Sequence, residues 1–219
     1  MPIHTLFYDV DNTLYPPESG VWEAIAERID RYLGERRGLP AAEIPARRTY
    51  YFSTYGTTMR GLEIEEHIER QEYLDFVHDV PLRELIQPNP ALRGVLLRYP
   101  QRRIIFTNAD EAHARRVLGV LGVEDCFESI IDVNTIAPYC KPQPEAFALG
   151  LRTVGSPAPE TCILIDDTPA NLEAARELGM TAVGVGEAAN GSADYWVRRV
   201  EDLPQVLDGL LGSREGGHV

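Results

Sequence analysis

Cysteine is scarce in this sequence of 219 residues. The chain has three cysteines, Cys126, Cys140 and Cys162, an odd and scattered set without the paired spacing of a metal site. Such a set argues against a disulfide framework and favours a reducing compartment. We therefore expect a cytoplasmic protein.

Long apolar runs and targeting signals are also missing. No apolar stretch approaches the length that a membrane-spanning helix needs. The first residues lack a basic region followed by a long apolar stretch, and Asp9 interrupts them early, so we expect no signal peptide. The chain has no internal repeat and no low-complexity segment. These absences predict a protein that has no membrane partner.

Positive charge is in short supply, because 21 lysine and arginine residues stand against 34 aspartate and glutamate residues, giving a formal net charge of −13. A nucleic-acid polymer requires a basic surface, so this balance argues against such a partner. It does not exclude a small anionic substrate, because a bound metal ion can invert the local field. The length and the hydrophobic share of 44% fit one globular domain, or a domain with an insertion.

Two carboxylates end the first predicted strand. Residues 3–8 form a short, mostly apolar segment, and Asp9 and Asp11 follow directly. In an extended backbone this spacing points both side chains to one side, where like charges crowd unless a cation relieves them. The alternative is a loop in which the same residues only make turn hydrogen bonds. The pattern favours a site for a metal, a nucleophile or both.

Strands alternate with amphipathic helices from residue 85 onward. This alternation predicts the α/β class, with a Rossmann-like parallel sheet flanked by helices. Residues 17–84 show only helical patterns, including one helix over 63–77, and we interpret them as an all-helical insertion after the first strand. We expect a core formed by 1–16 and 85–219, a helical cap formed by 17–84 and a flexible tail at 212–219. The predicted strands are 3–8, 102–107, 129–133, 161–165 and 181–185.

Residues suited to catalysis follow four of these strands. The carboxyl ends of parallel strands share one edge of the sheet, where ligands bind. Four carboxylates gathered there require a cation, and Mg²⁺ prefers such oxygen ligands together with a substrate phosphate. A lysine could offset further charge, and a hydroxyl and an amide at a helix start could donate to phosphate oxygens. Each residue alone could be a helix cap or a surface charge. The set is Asp9 and Asp11, Thr107 and Asn108, Lys141, and Asp166 and Asp167.

The order of these residues resembles the four motifs of the haloacid dehalogenase (HAD) superfamily of hydrolases. The resemblance extends over nearly the whole chain and implies a HAD-like Rossmannoid core with a helical cap, as in subfamily I. Residues 7–16, 55–62 and 106–109 further resemble the pyrimidine 5′-nucleotidase branch. The motifs are Asp9-Val10-Asp11-Asn12-Thr13, Thr107-Asn108, Lys141-Pro142 and Asp166-Asp167.

The resemblance implies the chemistry of a Mg²⁺-dependent phosphatase. Asp9 would be the nucleophile that forms an aspartyl-phosphate, and Asp11 would be the general acid and base. We expect Asp9 to be ionised beside Mg²⁺ and Asp11 to hold a proton. Mg²⁺ would be bound by Asp9, the backbone carbonyl of Asp11 and Asp167, with Asp166 nearby or through water.

The remaining predicted roles concern the substrate. Thr107 and Asn108 would bind the phosphoryl group, and Lys141 would offset its charge. Among the cap residues, Tyr55 and Arg60 are candidates for contact with a base or a sugar. Other candidates in the cap are Tyr50, Tyr51, Thr58 and His78, whereas we expect His113 to be a solvated helix residue and Tyr195-Trp196 to form an edge of the core.

Four functions are consistent with the motifs to different degrees. The favoured one is a phosphatase for a small phosphorylated metabolite, most of all a nucleoside monophosphate. A sugar-phosphate phosphatase or phosphomutase would keep every catalytic residue and differ only in the cap. A metal-free haloacid dehalogenase would need neither the acid at Asp11 nor the pair Asp166-Asp167. A non-enzymatic binding module would not need these acids to be intact.

Overall fold

A six-stranded parallel sheet forms the centre of the molecule, in the order β3-β2-β1-β4-β5-β6. The computed structural model describes residues 1–187 and 191–211, so the predicted tail at 212–219 lies outside the described residues. The predicted α/β class is confirmed. The strands are β1 (Thr5–Tyr8), β2 (Arg102–Phe106), β3 (Ser129–Ile131), β4 (Cys162–Asp166), β5 (Thr181–Val185) and β6 (Tyr195–Val197).

The register of the central strands determines where the site lies. Tyr8, the last residue of β1, pairs with Ile105 of β2 on one side and with Ile165 of β4 on the other. Both neighbours are parallel to β1, so the residues that follow all three strands emerge at one edge of the sheet. β1 and β4 are buried along their whole length, as expected for strands that are covered on both faces.

Residues 17–84, which we call the inserted segment, contain helices and no strand. The predicted single helix over 63–77 is wrong, because the chain forms two helices with a break at His67. His67 has a φ of 52°, in the left-handed region, and therefore ends the first of them. The helices are α1 (Val21–Arg31), α2 (Ile44–Tyr55), α3 (Thr58–Glu66), α4 (Arg70–Val77) and α5 (Leu82–Leu85), the last of which ends one residue beyond the segment.

Five further helices alternate with the strands. Two begin at side-chain caps: Asn89 accepts a hydrogen bond from the backbone N–H of Leu92, and Asp110 accepts one from that of His113. No helix of the described ranges 1–187 and 191–211 is long and apolar enough to cross a membrane. The helices are α6 (Pro90–Arg98), α7 (Glu111–Leu121), α8 (Pro144–Thr153), α9 (Pro169–Glu177) and α10 (Pro204–Leu211).

The core lies on both faces of the sheet. Side chains of a strand alternate between faces, so Phe7 joins one apolar cluster while Leu6 and Tyr8 join the other, which also includes the buried residues of the inserted segment. Tyr195-Trp196, predicted to be an edge of the core, belongs to β6, which pairs in parallel with β5.

Candidate active site

An ammonium group bridges two carboxylates where the central strands end. Asp9 follows β1, Asp166 is the last residue of β4, and Lys141 lies in the loop between β3 and α8. Lys141 Nζ donates to Asp9 Oδ1 at 2.9 Å and to Asp166 Oδ2 at 2.6 Å. Its side chain is 1% exposed. Burial alone would lower the pKa of Lys141, but Asp166 and Asp9 raise it above the ordinary value, so the group is a permanent cation.

Three carboxylates crowd around this single ammonium. Asp9, Asp166 and Asp167 each offer an oxygen, and these atoms lie within 4.8 Å of one another. Burial raises the pKa of Asp9 well above its usual range, and Asp166 and Asp167 raise it further against the effect of Lys141. Burial, followed by Asp166, raises the pKa of Asp167 to about 7. The cluster therefore has an excess of negative charge, and its oxygen donors fit a hard divalent cation such as Mg²⁺.

The two adjacent acids differ in how much of each carboxylate is free. Asn171 Nδ2 donates to both oxygens of Asp166, at 3.0 and 3.1 Å, and the backbone N–H of Thr168 donates to Oδ1 at 2.9 Å. Among the described residues, the side-chain contacts to Asp167 are long ones of 3.4 Å, from the hydroxyls of Thr13 and Thr168. Its oxygens are therefore more available to a metal than those of Asp166. Asn171, which the sequence analysis missed, lies in the first turn of α9.

Asn108 holds the loop that carries the lysine. Its Nδ2 donates to the backbone carbonyl of Lys141 at 2.9 Å, and its Oδ1 accepts from the backbone N–H of Lys141 at 2.8 Å. The predicted phosphoryl contact of this side chain is therefore limited to the second N–H of the amide. Thr107 is buried beside it, and its hydroxyl accepts from the backbone N–H of Ala109 at 3.0 Å.

The carboxylate of Asp11 is held by two side chains. Tyr15 donates to its Oδ1 at 2.5 Å, and His113 Nε2 lies 2.8 Å from the same oxygen. Burial alone would raise the pKa of Asp11, but His113 and Tyr15 outweigh it and lower that pKa to about 2.

One prediction changes as a result. His113 is not solvated but fully buried in the first turn of α7. Burial and neighbouring carboxylates raise the pKa of Asp9, whereas His113 and Tyr15 lower that of Asp11. The expected protonation states of Asp9 and Asp11, which presuppose Mg²⁺ beside Asp9, stay a prediction.

A cavity of about 990 Å³ lies between this edge of the sheet and the inserted segment. Tyr55 lines it, but its hydroxyl donates to Glu65 Oε1 at 2.8 Å. Arg60, predicted to contact substrate, does not line the cavity and instead pairs with Glu63. The cavity is also lined by Trp22, Arg48 and Phe52, which were not predicted from the sequence. The predicted residues that line it are Asp9, Asp11, Tyr55, Thr58, His78, Thr107, Asn108, Lys141 and Asp167.

Comparison with known proteins agrees with this geometry. The family model described as haloacid dehalogenase-like hydrolase matches residues 3–179. This chain belongs to that family. The predicted superfamily is thereby confirmed, and the match includes every motif residue from Asp9 to Asp167.

The relatives of this HAD-like hydrolase include proteins with different names. Phosphate metabolism protein 8 of Saccharomyces cerevisiae is 27% identical over 188 residues, which are 80% of this chain and 59% of the yeast protein. Beta-phosphoglucomutase of Bacillus subtilis is 28% identical over 194 residues, which are 85% of this chain and 84% of the relative. The crystal structure of the HAD hydrolase YfnB of Bacillus subtilis bound to magnesium has a TM-score of 0.63 and 18% identity, over 95% of this chain and all of the other. These likenesses agree with the family match and leave the substrate open.

Proposed function

We propose that this HAD-like hydrolase is a Mg²⁺-dependent phosphatase that cleaves small phosphate monoesters through an aspartyl-phosphate at Asp9. The observation that carries the proposal is the cluster of Asp9, Asp167 and Lys141 at the wall of a large cavity. The carboxylate of Asp9 is suited to attack phosphorus because positive charge lies beside it. The ammonium of Lys141 and a metal ion bound by the oxygen ligands would offset the negative charge of the incoming phosphoryl group.

The cation site would be formed by oxygen ligands alone. Asp9 and Asp167 would supply carboxylate oxygens, and Asp11 would supply its backbone carbonyl. Asp166 would lie near the cation without binding it directly, since its oxygens accept hydrogen bonds from Lys141 and Asn171. When bound, Mg²⁺ supplies positive charge that offsets the carboxylates and the phosphoryl oxygens. The magnesium in the structure of YfnB supports this choice of metal.

The reaction would proceed in two displacements. In the first, a carboxylate oxygen of Asp9 bonds to phosphorus, the phosphorus–oxygen ester bond breaks, and Asp11 gives a proton to the leaving oxygen. The negative phosphoryl group beside Asp11 favours its protonated form, against the lowering of its pKa by His113 and Tyr15. In the second, water attacks phosphorus and gives a proton to Asp11, which releases inorganic phosphate and restores Asp9.

The residues of the second and third motifs would bind the phosphoryl group. Thr107 lies buried at the cavity wall, where its hydroxyl can donate to a phosphoryl oxygen. Asn108 would contribute its second amide N–H while the first holds the loop of Lys141. Lys141 would hold Asp9 in place and offset the charge that builds up around phosphorus.

The inserted segment would act as a cap that selects the substrate, with 1–16 and 85–219 as the core. A nucleoside monophosphate is the substrate class that we favour, because the segment turns aromatic rings to the cavity. Trp22 is 41% exposed and Phe52 is 61% exposed, so both offer ring faces on which a base could stack. A sugar phosphate is the second candidate, supported by the likeness to beta-phosphoglucomutase.

The catalytic proposal is tested with a chromogenic phosphate ester in the presence of Mg²⁺ and after chelation with EDTA. We expect phosphate release that depends on Mg²⁺ and is abolished in Asp9→Asn, which should keep the wild-type circular dichroism spectrum. Glu18→Gln, which removes a carboxylate outside the described cavity lining, should retain wild-type turnover. Equal turnover in Asp9→Asn and wild type would refute the proposal.

The substrate is tested by comparing kcat/KM for uridine and cytidine monophosphates with kcat/KM for hexose phosphates. We expect the nucleotides to be preferred and Trp22→Ala to raise their KM without changing the KM of a hexose phosphate. If the nucleotides are no better than the hexose phosphates, the sugar-phosphate alternative takes their place.

A further inference from the structure

Two residues outside the four superfamily motifs contact the proposed acid and base. The phenol of Tyr15 and the imidazole of His113 both meet Oδ1 of Asp11, at 2.5 and 2.8 Å. Among the described residues, the hydrogen bonds to the Asp11 carboxylate all go to this one oxygen. The second oxygen, Oδ2, is left for a group that enters the cavity, which Asp11 lines.

The position of His113 is fixed by contacts on several sides. Its backbone N–H donates to the helix cap Asp110, and its ring is fully buried. The ring of His78 stacks on it, with 4.3 Å between centroids and 20° between the planes. Nδ1 of His78 lies 2.8 Å from Oδ1 of Asp110, and Arg116 donates to the backbone carbonyl of His78 at 2.8 Å. The imidazole therefore has little freedom to rotate.

The two nitrogens of the His113 ring have different surroundings. Nε2 meets the carboxylate of Asp11, while Nδ1 is buried and has no hydrogen-bond partner among residues 1–187 and 191–211. An ionised carboxylate only accepts hydrogen bonds, so the ring must carry its proton on Nε2 and donate to Asp11. A buried polar atom left unpaired at Nδ1 has a free-energy cost.

From this geometry we propose that His113 and Tyr15 are positioning residues that hold Asp11 so that Oδ2 faces the oxygen of the leaving group. The proposal rests on the proposed function. The carboxylates of Asp9 and Asp167 and the ammonium of Lys141 lie nearby. Without the hydrogen bonds from His113 and Tyr15, the carboxylate of Asp11 could turn toward the cation site instead. Proton transfer to the leaving group requires a heavy-atom distance near that of a hydrogen bond, so a rotated carboxylate would lose it.

The dependence on the leaving group separates positioning from a general structural effect. An alkyl phosphate releases a strongly basic alkoxide that needs a proton, whereas 2,4-dinitrophenyl phosphate releases a stable phenolate that does not. The constant kcat/KM reports the steps up to the first irreversible one, which include departure of the leaving group. A variant that misplaces Asp11 should therefore lower kcat/KM for the alkyl ester far more than for the aryl ester.

Three variants test this with matched chemistry. Tyr15→Phe removes one hydroxyl from a buried ring. His113→Asn places its amide nitrogen near Nδ1, out of reach of Asp11, and His113→Gln places it near Nε2, where it can still donate. Tyr99→Phe is the control, because Tyr99 precedes β2 at the opposite edge of the sheet and donates to Asp208, another carboxylate, at 2.6 Å.

For the alkyl ester, Tyr15→Phe and His113→Asn should lower kcat/KM by about 10- to 100-fold, a fraction of the roughly 10²- to 10⁴-fold that general acid–base catalysis contributes. For 2,4-dinitrophenyl phosphate the same variants should stay within about 3-fold of wild type, because no proton is needed. His113→Gln should recover most of the alkyl-ester rate, and Tyr99→Phe should match wild type with both esters.

Equal losses with both esters, or no loss with either, would overturn the positioning role while leaving the phosphatase intact. A wild-type protein that cleaves neither ester in Mg²⁺ would instead refute the proposed function itself. The two failures are therefore distinguishable from the wild-type and variant rates in one set of measurements.

Discussion

The substitution Lys141→Met removes the ammonium that bridges Asp9 and Asp166 while keeping a long apolar side chain. At the 2.9 Å separation from Asp9, and with an effective dielectric constant of about 20, the Coulomb attraction is about 6 kcal/mol. Part of this offsets the cost of burying the ammonium, and breaking a buried pair by removing one partner costs about 3–5 kcal/mol. We expect that loss in the free energy of unfolding, measured by urea denaturation without Mg²⁺.

The free energy of unfolding that Lys141→Met loses should increase with pH. The pKa of Asp9 is already raised in the folded protein, and loss of Lys141 removes the contact that lowers it. A group whose folded pKa is raised contributes stability below its unfolded pKa and loses it as the pH rises through the folded value. The destabilisation caused by Lys141→Met should therefore be smaller at a pH of about 5 than at a pH of about 8.

An exposed arginine provides the matched control. Arg115 also bridges two carboxylates, Glu111 at 2.7 Å and Glu124 at 2.8 Å, but its side chain is 53% exposed. Arg115→Met should cost no more than about 1 kcal/mol, because water screens exposed ion pairs. If Lys141→Met costs as little as Arg115→Met, or the same amount at both pH values, the reasoning about buried charge is refuted.

Three further predictions follow from the same geometry. The chain has a single lysine, so labelling with [¹⁵N]lysine gives one side-chain ammonium resonance. Lys141 should remain protonated above pH 10.5, the ordinary pKa of a lysine, because the carboxylates raise its pKa. Calorimetry should show Mg²⁺ affinity rising as the pH increases through about 7, where Asp167 loses its proton, and falling steeply in Asp167→Asn. A Cβ at Gly184 would overlap the ring of Trp196, so Gly184→Ala should lower the free energy of unfolding in urea by about 1–3 kcal/mol. Gly94 lies on α6 with open space around it, so Gly94→Ala should raise that free energy by about 0.5–1 kcal/mol.

The sheet and the acids at its edge could be predicted because local sequence carries both signals. The five predicted strands agree with β1 to β5 because each is a short apolar run between turn residues. Parallel strands end at a common edge, so the topology brings Asp9 and Asp166 together. Lys141 lies in the loop after β3, and its position also depends on the two hydrogen bonds that its backbone makes with Asn108.

Side-chain contacts that depend on packing, and a very short strand, could not be predicted in this way. His113 lies one turn into an amphipathic helix, and only the packing of α7 against the strand ends shows that its ring reaches Asp11. Arg60 has the charge of a phosphate ligand, but Glu63 on the next turn pairs with it. The strand β6 has three residues, too few for the alternation of side chains to identify it.

The central claim is that Asp9 becomes covalently phosphorylated. Rapid quenching of the enzyme during turnover, reduction with borohydride and peptide mass spectrometry measure this directly, because an acyl phosphate is reduced to an alcohol and an aspartate becomes homoserine. We predict homoserine at position 9 only when both substrate and Mg²⁺ are present. Phosphate release without modification of Asp9, or with homoserine at position 11 instead, would contradict the claim.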